Sequence, residues 1–255
     1  MKSAGIRYTM LIIVFLLISA FVLTPSTAVS ENLDTLPAER LQTVVTGGLL
    51  YDKWWKELGI AKPASIHPSY PEIGKKRGTS TWRCKECHGW DYKGSKGAYG
   101  RGGHYTGIRG IRVAAGTPEK RVTAILRNKS HQFDRLPQRA LQAIAAFVVY
   151  GQVDMDKYID RASKKAKGDK ASGGRLFQTI CARCHGADGT LLNFSGDPKN
   201  PEYIGTVATR NPWETLHKIR YGQPGEQMPS MLALSLEQQL AILAYTQTLP
   251  LRRHQ

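Results

Sequence analysis

Two stretches of the chain place apolar residues three and four positions apart: Leu141, Ile144, Ala145 and Val148 in one, Leu236, Leu240, Leu243 and Ala244 in the other. That spacing predicts two amphipathic helices, each burying one face. The second has its own start signal, Ser235 followed by Gln238 as a capping box, and Pro250 beyond it as a stop. A different pattern opens the chain, where Lys2 and Arg7 precede an apolar run from Met10 to Leu23 and the small-residue stretch Ser26-Thr27-Ala28-Val29-Ser30. This is the layout of a secretory signal peptide cleaved after Ala28 or Ser30. The run has 14 residues, against about 20 for a spanning helix, so an uncleaved anchor is the weaker alternative. No later stretch is long and apolar enough to cross a bilayer, which predicts a mature chain that is soluble or peripherally attached.

The pattern also repeats. Leu136-Pro137 with Ile144-Ala145-Ala146-Phe147 recurs as Leu234-Ser235 with Ile242-Leu243-Ala244-Tyr245 at a constant offset of 98. Gly47-Gly48-Leu49-Leu50-Tyr51 likewise resembles Gly173-Gly174-Arg175-Leu176-Phe177. Relative to the second half, the first carries an insertion of 29 residues, roughly 55–83. Pro63, Pro68, Pro71, Gly74 and Gly78 predict that it is mostly loop. The polar, basic stretch 161–170 reads as a linker between the halves.

Composition sets the class. With 41% hydrophobic and 22% charged residues among 255, the chain can bury a core. The formal net charge of +16 points to an acidic partner, a nucleic acid or an anionic membrane surface. Export makes a nucleic acid the poorest of these.

The chemistry lies in the cysteines. All four sit in two strings, Cys84-Lys85-Glu86-Cys87-His88 and Cys181-Ala182-Arg183-Cys184-His185. C-x-x-C-H lets two thiols form thioethers to one haem while the next imidazole turns onto the iron, the mark of c-type haem attachment. A shared zinc site would keep its pairs closer than the 97 residues found here, and a redox dithiol has no use for the repeated histidine. Two covalently bound haem c groups are expected, at Cys84, Cys87 and His88 and at Cys181, Cys184 and His185.

On these residues the chain resembles the class I c-type cytochromes, most strongly over 171–250, where Gly173-Gly174-Arg175-Leu176-Phe177 precedes the motif and His185-Gly186-Ala187-Asp188-Gly189 follows it. The resemblance implies an all-α fold in which an N-terminal helix, the C-x-x-C-H segment and a C-terminal helix wrap each haem. The expected organisation is a signal peptide at 1–28, two tandem class I cytochrome c domains at 29–160 and 171–255, and a linker at 161–170.

Met228, in Gly225-Glu226-Gln227-Met228-Pro229, resembles the methionine loop of these cytochromes and is the expected sixth ligand of haem 2, with Met231 as the fallback. His185 to Met228 spans 43 residues, as does His88 to His131. The repeat thus places His131 at the sixth position of haem 1, which is left open between His131, His104, His67, Met155 and no ligand at all. A thioether raises the potential relative to a second imidazole, so electrons are expected to enter at haem 1 and leave from haem 2.

These features predict a periplasmic electron-transfer protein, either a carrier or a subunit of a respiratory oxidoreductase, docking on an acidic redox partner. Candidate docking cations are Arg175, Arg183, Lys199, Lys218 and Arg220. The alternative is a haem enzyme acting on a small inorganic substrate at haem 1, with the Gly-rich stretch 94–110 lining a pocket. Trp54, Trp55 and Trp82 are expected in packing.

Overall fold

The computed structural model describes residues 33–253; the signal peptide expected at 1–28 lies outside them. In chain order the helices are α1 (Ala38–Glu57), α2 (Cys84–His88), α3 (Glu119–Leu126), α4 (Gln138–Ala146), α5 (Lys170–Leu176), α6 (Ala182–His185), α7 (Ile204–Arg210), α8 (Pro212–Tyr221) and α9 (Leu236–Thr246). Single π turns extend α4 through Phe147–Gly151 and α5 through Phe177–Cys181. The described residues are mostly helical and contain no strand, only the isolated bridges Gly94–Arg109 and Ile159–Ala166.

The local signals act where the pattern places them. Ser235 and Gln238 form the reciprocal capping box of α9. Asp169 accepts the amides of Ala171 and Ser172 at the start of α5, and Asn211 caps α8 ahead of Pro212. Leu141, Ile144, Ala145 and Val148 are all buried, as are Leu240, Leu243 and Ala244.

Each half is built on a helix pair crossing at glycine. α1 packs on α4 at Gly47, where a Cβ would collide with the Ala143 carbonyl and Phe147. α5 packs on α9 at Gly173, where it would collide with the Ala241 carbonyl and crowd Tyr245. The missing side chain is what lets these backbones approach.

The second glycines of the two pairs are used differently. Gly174 lies against Tyr245 of its own half, whereas Gly48 receives the ring of Tyr221 from α8 of the other half. One continuous apolar core therefore runs from Val44 on α1 to Leu243 on α9, and a small satellite of Phe177, Ile204 and Leu249 lies under the second half.

Buried polar groups stitch this seam. His217 on α8 is fully buried; its Nε2–H donates to the Gly48 carbonyl (3.0 Å) and its Nδ1 accepts from the Tyr92 hydroxyl (2.8 Å). Tyr221 donates its hydroxyl to the Gly151 carbonyl. The basic stretch 161–170 follows buried Ile159 as a turn, and Gln247 holds it by accepting from the Ala166 amide (2.9 Å) and donating to the Lys164 carbonyl (2.7 Å).

The insertion is mostly loop, with a 3₁₀ turn at Gly78–Trp82. Its ends are joined by a hydrogen bond from the Trp54 indole to the Trp82 carbonyl (3.0 Å), and the Trp82 indole donates to the Ser65 carbonyl inside the loop (2.9 Å).

Two stability predictions follow from this packing. Gly47→Ala and Gly173→Ala each lower the unfolding free energy by about 1–3 kcal/mol, while Gly103→Ala, which meets open space, stays within about 0.5 kcal/mol of wild type; denaturant titration of the holoprotein checks both. The second concerns His217, whose imidazole burial pushes down to about 3 from an ordinary 6.5. The folded state then binds fewer protons than the unfolded one below pH 6.5. His217 therefore removes up to about 1.4 kcal/mol per pH unit as the pH falls through that window, and the pH slope of stability flattens in His217→Gln.

Candidate functional site

α2 is a single helical turn in which Cys84 and Cys87, three positions apart, share one side. Gly89, at φ +78°, ends it in a conformation that suits glycine, and the Tyr51 hydroxyl holds the Gly89 carbonyl (2.6 Å). The chain then folds back so that the Gly94 amide donates to the His88 carbonyl (2.8 Å). The Gly94–Arg109 bridge brings the Arg109 carbonyl to His88 Nδ1 at 2.7 Å. A carbonyl only accepts, so Nδ1 carries the proton and the Nε2 lone pair is free. Burial pushes this imidazole down to about 4, keeping it in the neutral form that a metal binds.

His131 faces His88. The ring centres are 6.1 Å apart and the planes differ by 13°. With metal–imidazole bonds of about 2 Å, that separation puts both imidazoles within reach of one haem iron. Asn128 sets the second ring: its Oδ1 accepts the amides of Ser130 (2.9 Å) and His131 (3.1 Å) and lies 3.3 Å from His131 Nδ1. The ring also has the Ile125 carbonyl as an acceptor.

The other candidates for this position lie elsewhere. His67 donates Nε2–H to the His131 carbonyl (2.9 Å) and accepts the Ser69 amide at Nδ1 (3.1 Å), so it has no lone pair left for a metal. His104 is held through Nδ1 by Glu86 (3.0 Å) and stacks on Tyr99 at 4.5 Å. Met155 is fully buried in the core.

The second motif repeats the local geometry. Cys181 closes the π turn, α6 carries Cys184 and His185, and Gly186 ends the helix at φ +82°. The Leu191 amide donates to the His185 carbonyl (2.9 Å), as Gly94 does to His88. His185 is buried, and its Nδ1 has no hydrogen-bond partner. Met228 is half-buried in the loop after α8, whose turn is closed by the Gln223 amide donating to the Met228 carbonyl (3.4 Å). Met231 packs on the apolar core, and its amide donates to the Ile219 carbonyl (2.9 Å).

The surroundings suit a large apolar group bearing carboxylates. Leu191, Leu192 and Phe194, which follow His185, are exposed, with Phe194 5.9 Å from the His185 ring. Trp90 Nε1, Tyr99 OH and Trp213 Nε1 are buried and lack an acceptor. An apolar macrocycle would cover the former, and its carboxylates could take up donors of the latter kind. The donor set and its setting fit haem c.

A charged cluster that the sequence pattern does not reveal lies beside the first motif. Asp52, 1% exposed, is paired with Arg83 and with Lys218 (2.9 Å). Burial opposes its ionisation, but Lys218 and Arg83 prevail and hold the carboxyl well below the usual carboxylate range. Arg83, Lys85 and Lys218 surround the buried Trp90 ring at 5.9, 5.2 and 5.6 Å. For Glu86, burial likewise opposes ionisation, while His104 and Lys85 bring its carboxyl down to about 2.

This cluster corrects the list of docking cations. Lys218 is committed to Asp52, and Arg220 is buried against Gln239 (2.8 Å), so neither is a free surface charge. Arg175, Arg183 and Lys199 are exposed.

Residues 168–245 match the family model described as Cytochrome C oxidase, cbb3-type, subunit III. The match supports a c-type cytochrome with covalently bound haem c and an electron-transfer role. No curated protein and no solved structure matches the chain.

Proposed function

We propose that this chain is an exported dihaem cytochrome c, built as two tandem class I domains at 29–160 and 171–255, that passes electrons between periplasmic redox partners. It works as a carrier or as the electron-transfer subunit of a respiratory oxidoreductase. The observation that carries this reading is the close pair of His88 and His131, with His88 Nδ1 donating to the Arg109 carbonyl and Asn128 Oδ1 beside His131 Nδ1. The repeat of helix crossing, cysteine turn and glycine stop around Cys181, Cys184 and His185 supports a second haem.

Cys84 and Cys87 would hold haem 1 covalently, with His88 and His131 as axial ligands; Cys181 and Cys184 would hold haem 2, with His185 and Met228. When bound, each haem supplies a one-electron iron couple. The protein's part is to fix the ligands and set the potentials. Two imidazoles favour the oxidised iron more than an imidazole and a thioether do, so His88 and His131 would give haem 1 the lower potential and His185 and Met228 would give haem 2 the higher one. With His88 and His131 both holding it, haem 1 would offer a substrate no open position.

Electrons would leave from the second half, where exposed Cys184 is flanked in sequence by exposed Arg175, Ile180 and Arg183. Exposed cations beside the attachment turn suit an acidic protein partner.

Three outcomes are expected. A pyridine haemochrome assay gives two haems per mature chain, and one after Cys181→Ser with Cys184→Ser; one haem in the wild type overturns the dihaem reading. Redox titration gives two potentials, and His131→Met raises the lower one; an unchanged lower potential removes His131 from haem 1. Stopped-flow electron transfer to an acidic redox protein slows as salt rises, and Arg175→Glu with Arg183→Glu slows it further at low salt; rates indifferent to both rule out this docking face.

A further inference from the structure

We infer that His67, supplied by the insertion that only the first half carries, is the positioning residue that keeps His131 in place as sixth ligand of haem 1. This rests on the assignment of His88 and His131 to one haem.

The loop from Arg127 to Leu136 that presents His131 contains neither glycine nor proline, so nothing in its composition stiffens it. Gln132, directly after His131, takes the left-handed conformation at φ +57° that glycine would occupy without strain. The corresponding loop after α8 takes its positive φ values at Gly222 and Gly225, where they cost no strain, carries Pro224 and Pro229, and is braced from α1 by Glu57, which accepts the Gly225 amide (3.3 Å), and by Lys56 on Glu226 (2.9 Å). A non-glycine residue in that conformation persists only where its surroundings hold it.

His67 provides the hold. Asn128 fixes the amide and ring of His131 from within the loop, and His67 fixes the carbonyl from outside at 2.9 Å. The Ser69 amide donates to Nδ1 and thereby locks the His67 tautomer with its proton on Nε2, aimed at that carbonyl. The His67 ring is 8% exposed and stands edge-on to Trp82 at 4.4 Å. Its own amide donates to Thr81 Oγ1 (2.9 Å).

Trp82 and Thr81 lie immediately before Arg83-Cys84, so the clamp and the haem-attachment turn share one continuous segment. The insertion therefore ties the sixth-ligand side of haem 1 to its cysteine side. Partners of this kind, one shell beyond a ligand, set how firmly the ligand is held.

The test uses mature dihaem protein, fully reduced, with carbon monoxide as the probe and the electron paramagnetic resonance spectrum of the oxidised protein as a second readout. Wild type binds no carbon monoxide, and His131→Ala binds one equivalent; failure of either overturns the axial assignment itself. With that assignment in place, His67→Leu gains carbon monoxide binding at the same haem, up to the one equivalent of His131→Ala, and alters its resonance, while His67→Gln, which keeps an N–H donor, moves back toward wild type. Thr81→Val, which frees the His67 backbone without removing a ring, gives a smaller change in the same direction and decides the matter if His67→Leu does not mature. A His67→Leu protein with two haems, no carbon monoxide uptake and an unaltered resonance overturns the clamp and leaves the axial assignment standing. So does a silent Thr81→Val if it alone matures.

Discussion

A carbonyl oxygen can only accept a hydrogen bond, and the first half of this molecule depends on that fact. The Arg109 carbonyl accepts from His88 Nδ1, which leaves that ring's lone pair on Nε2, and the Asn128 side-chain oxygen lies against His131 Nδ1. Placing these acceptors accounts for much of the local architecture. Gly89 turns the chain, Gly94 pairs with Arg109, and the Asn128 side chain folds the loop before His131 back on itself. The neighbouring His67 and His217 have both ring nitrogens occupied and are removed from competition for a metal by the same rule.

The halves are joined as one body by the unequal use of equivalent residues. Gly47 and Gly173 both serve their own helix crossing, but Gly48 faces α8 of the other half while Gly174 stays within its own. Opening that side of α1 brings Tyr221, His217 and Lys218 against Gly48, Tyr92 and Asp52. A buried carboxylate between two cations is costly to separate, and a neutral imidazole with both nitrogens satisfied has little reason to move. Two redox centres in one such body would keep a fixed separation, which an intramolecular relay requires.

Much of this was legible beforehand because short-range rules govern it. The capping box at Ser235 and Gln238, the buried stripes of α4 and α9 and the loop character of the insertion follow from spacing and turn chemistry. The equal spans from His88 to His131 and from His185 to Met228 singled out the residue that the fold sets opposite His88. Lys218 and Arg220 misled, since a cation on a helix looks the same in sequence whether it faces water or a buried carboxylate. Asp52, the carboxylate that settles Lys218, lies 166 residues away.

The sequence by itself determined the two cysteine turns, the helices that enclose them and the repeat that relates the halves, because each depends on residues a few positions apart. Only the tertiary structure decided which of several histidines faces His88, which cations remain at the surface and what the insertion is for. Those outcomes depend on which backbone carbonyl or carboxylate arrives beside a side chain from a distant part of the chain. His67 shows the difference most plainly: its position in a loop between two prolines, Pro63 and Pro68, says nothing of its role, and the carbonyl that defines it is contributed from 64 residues further on.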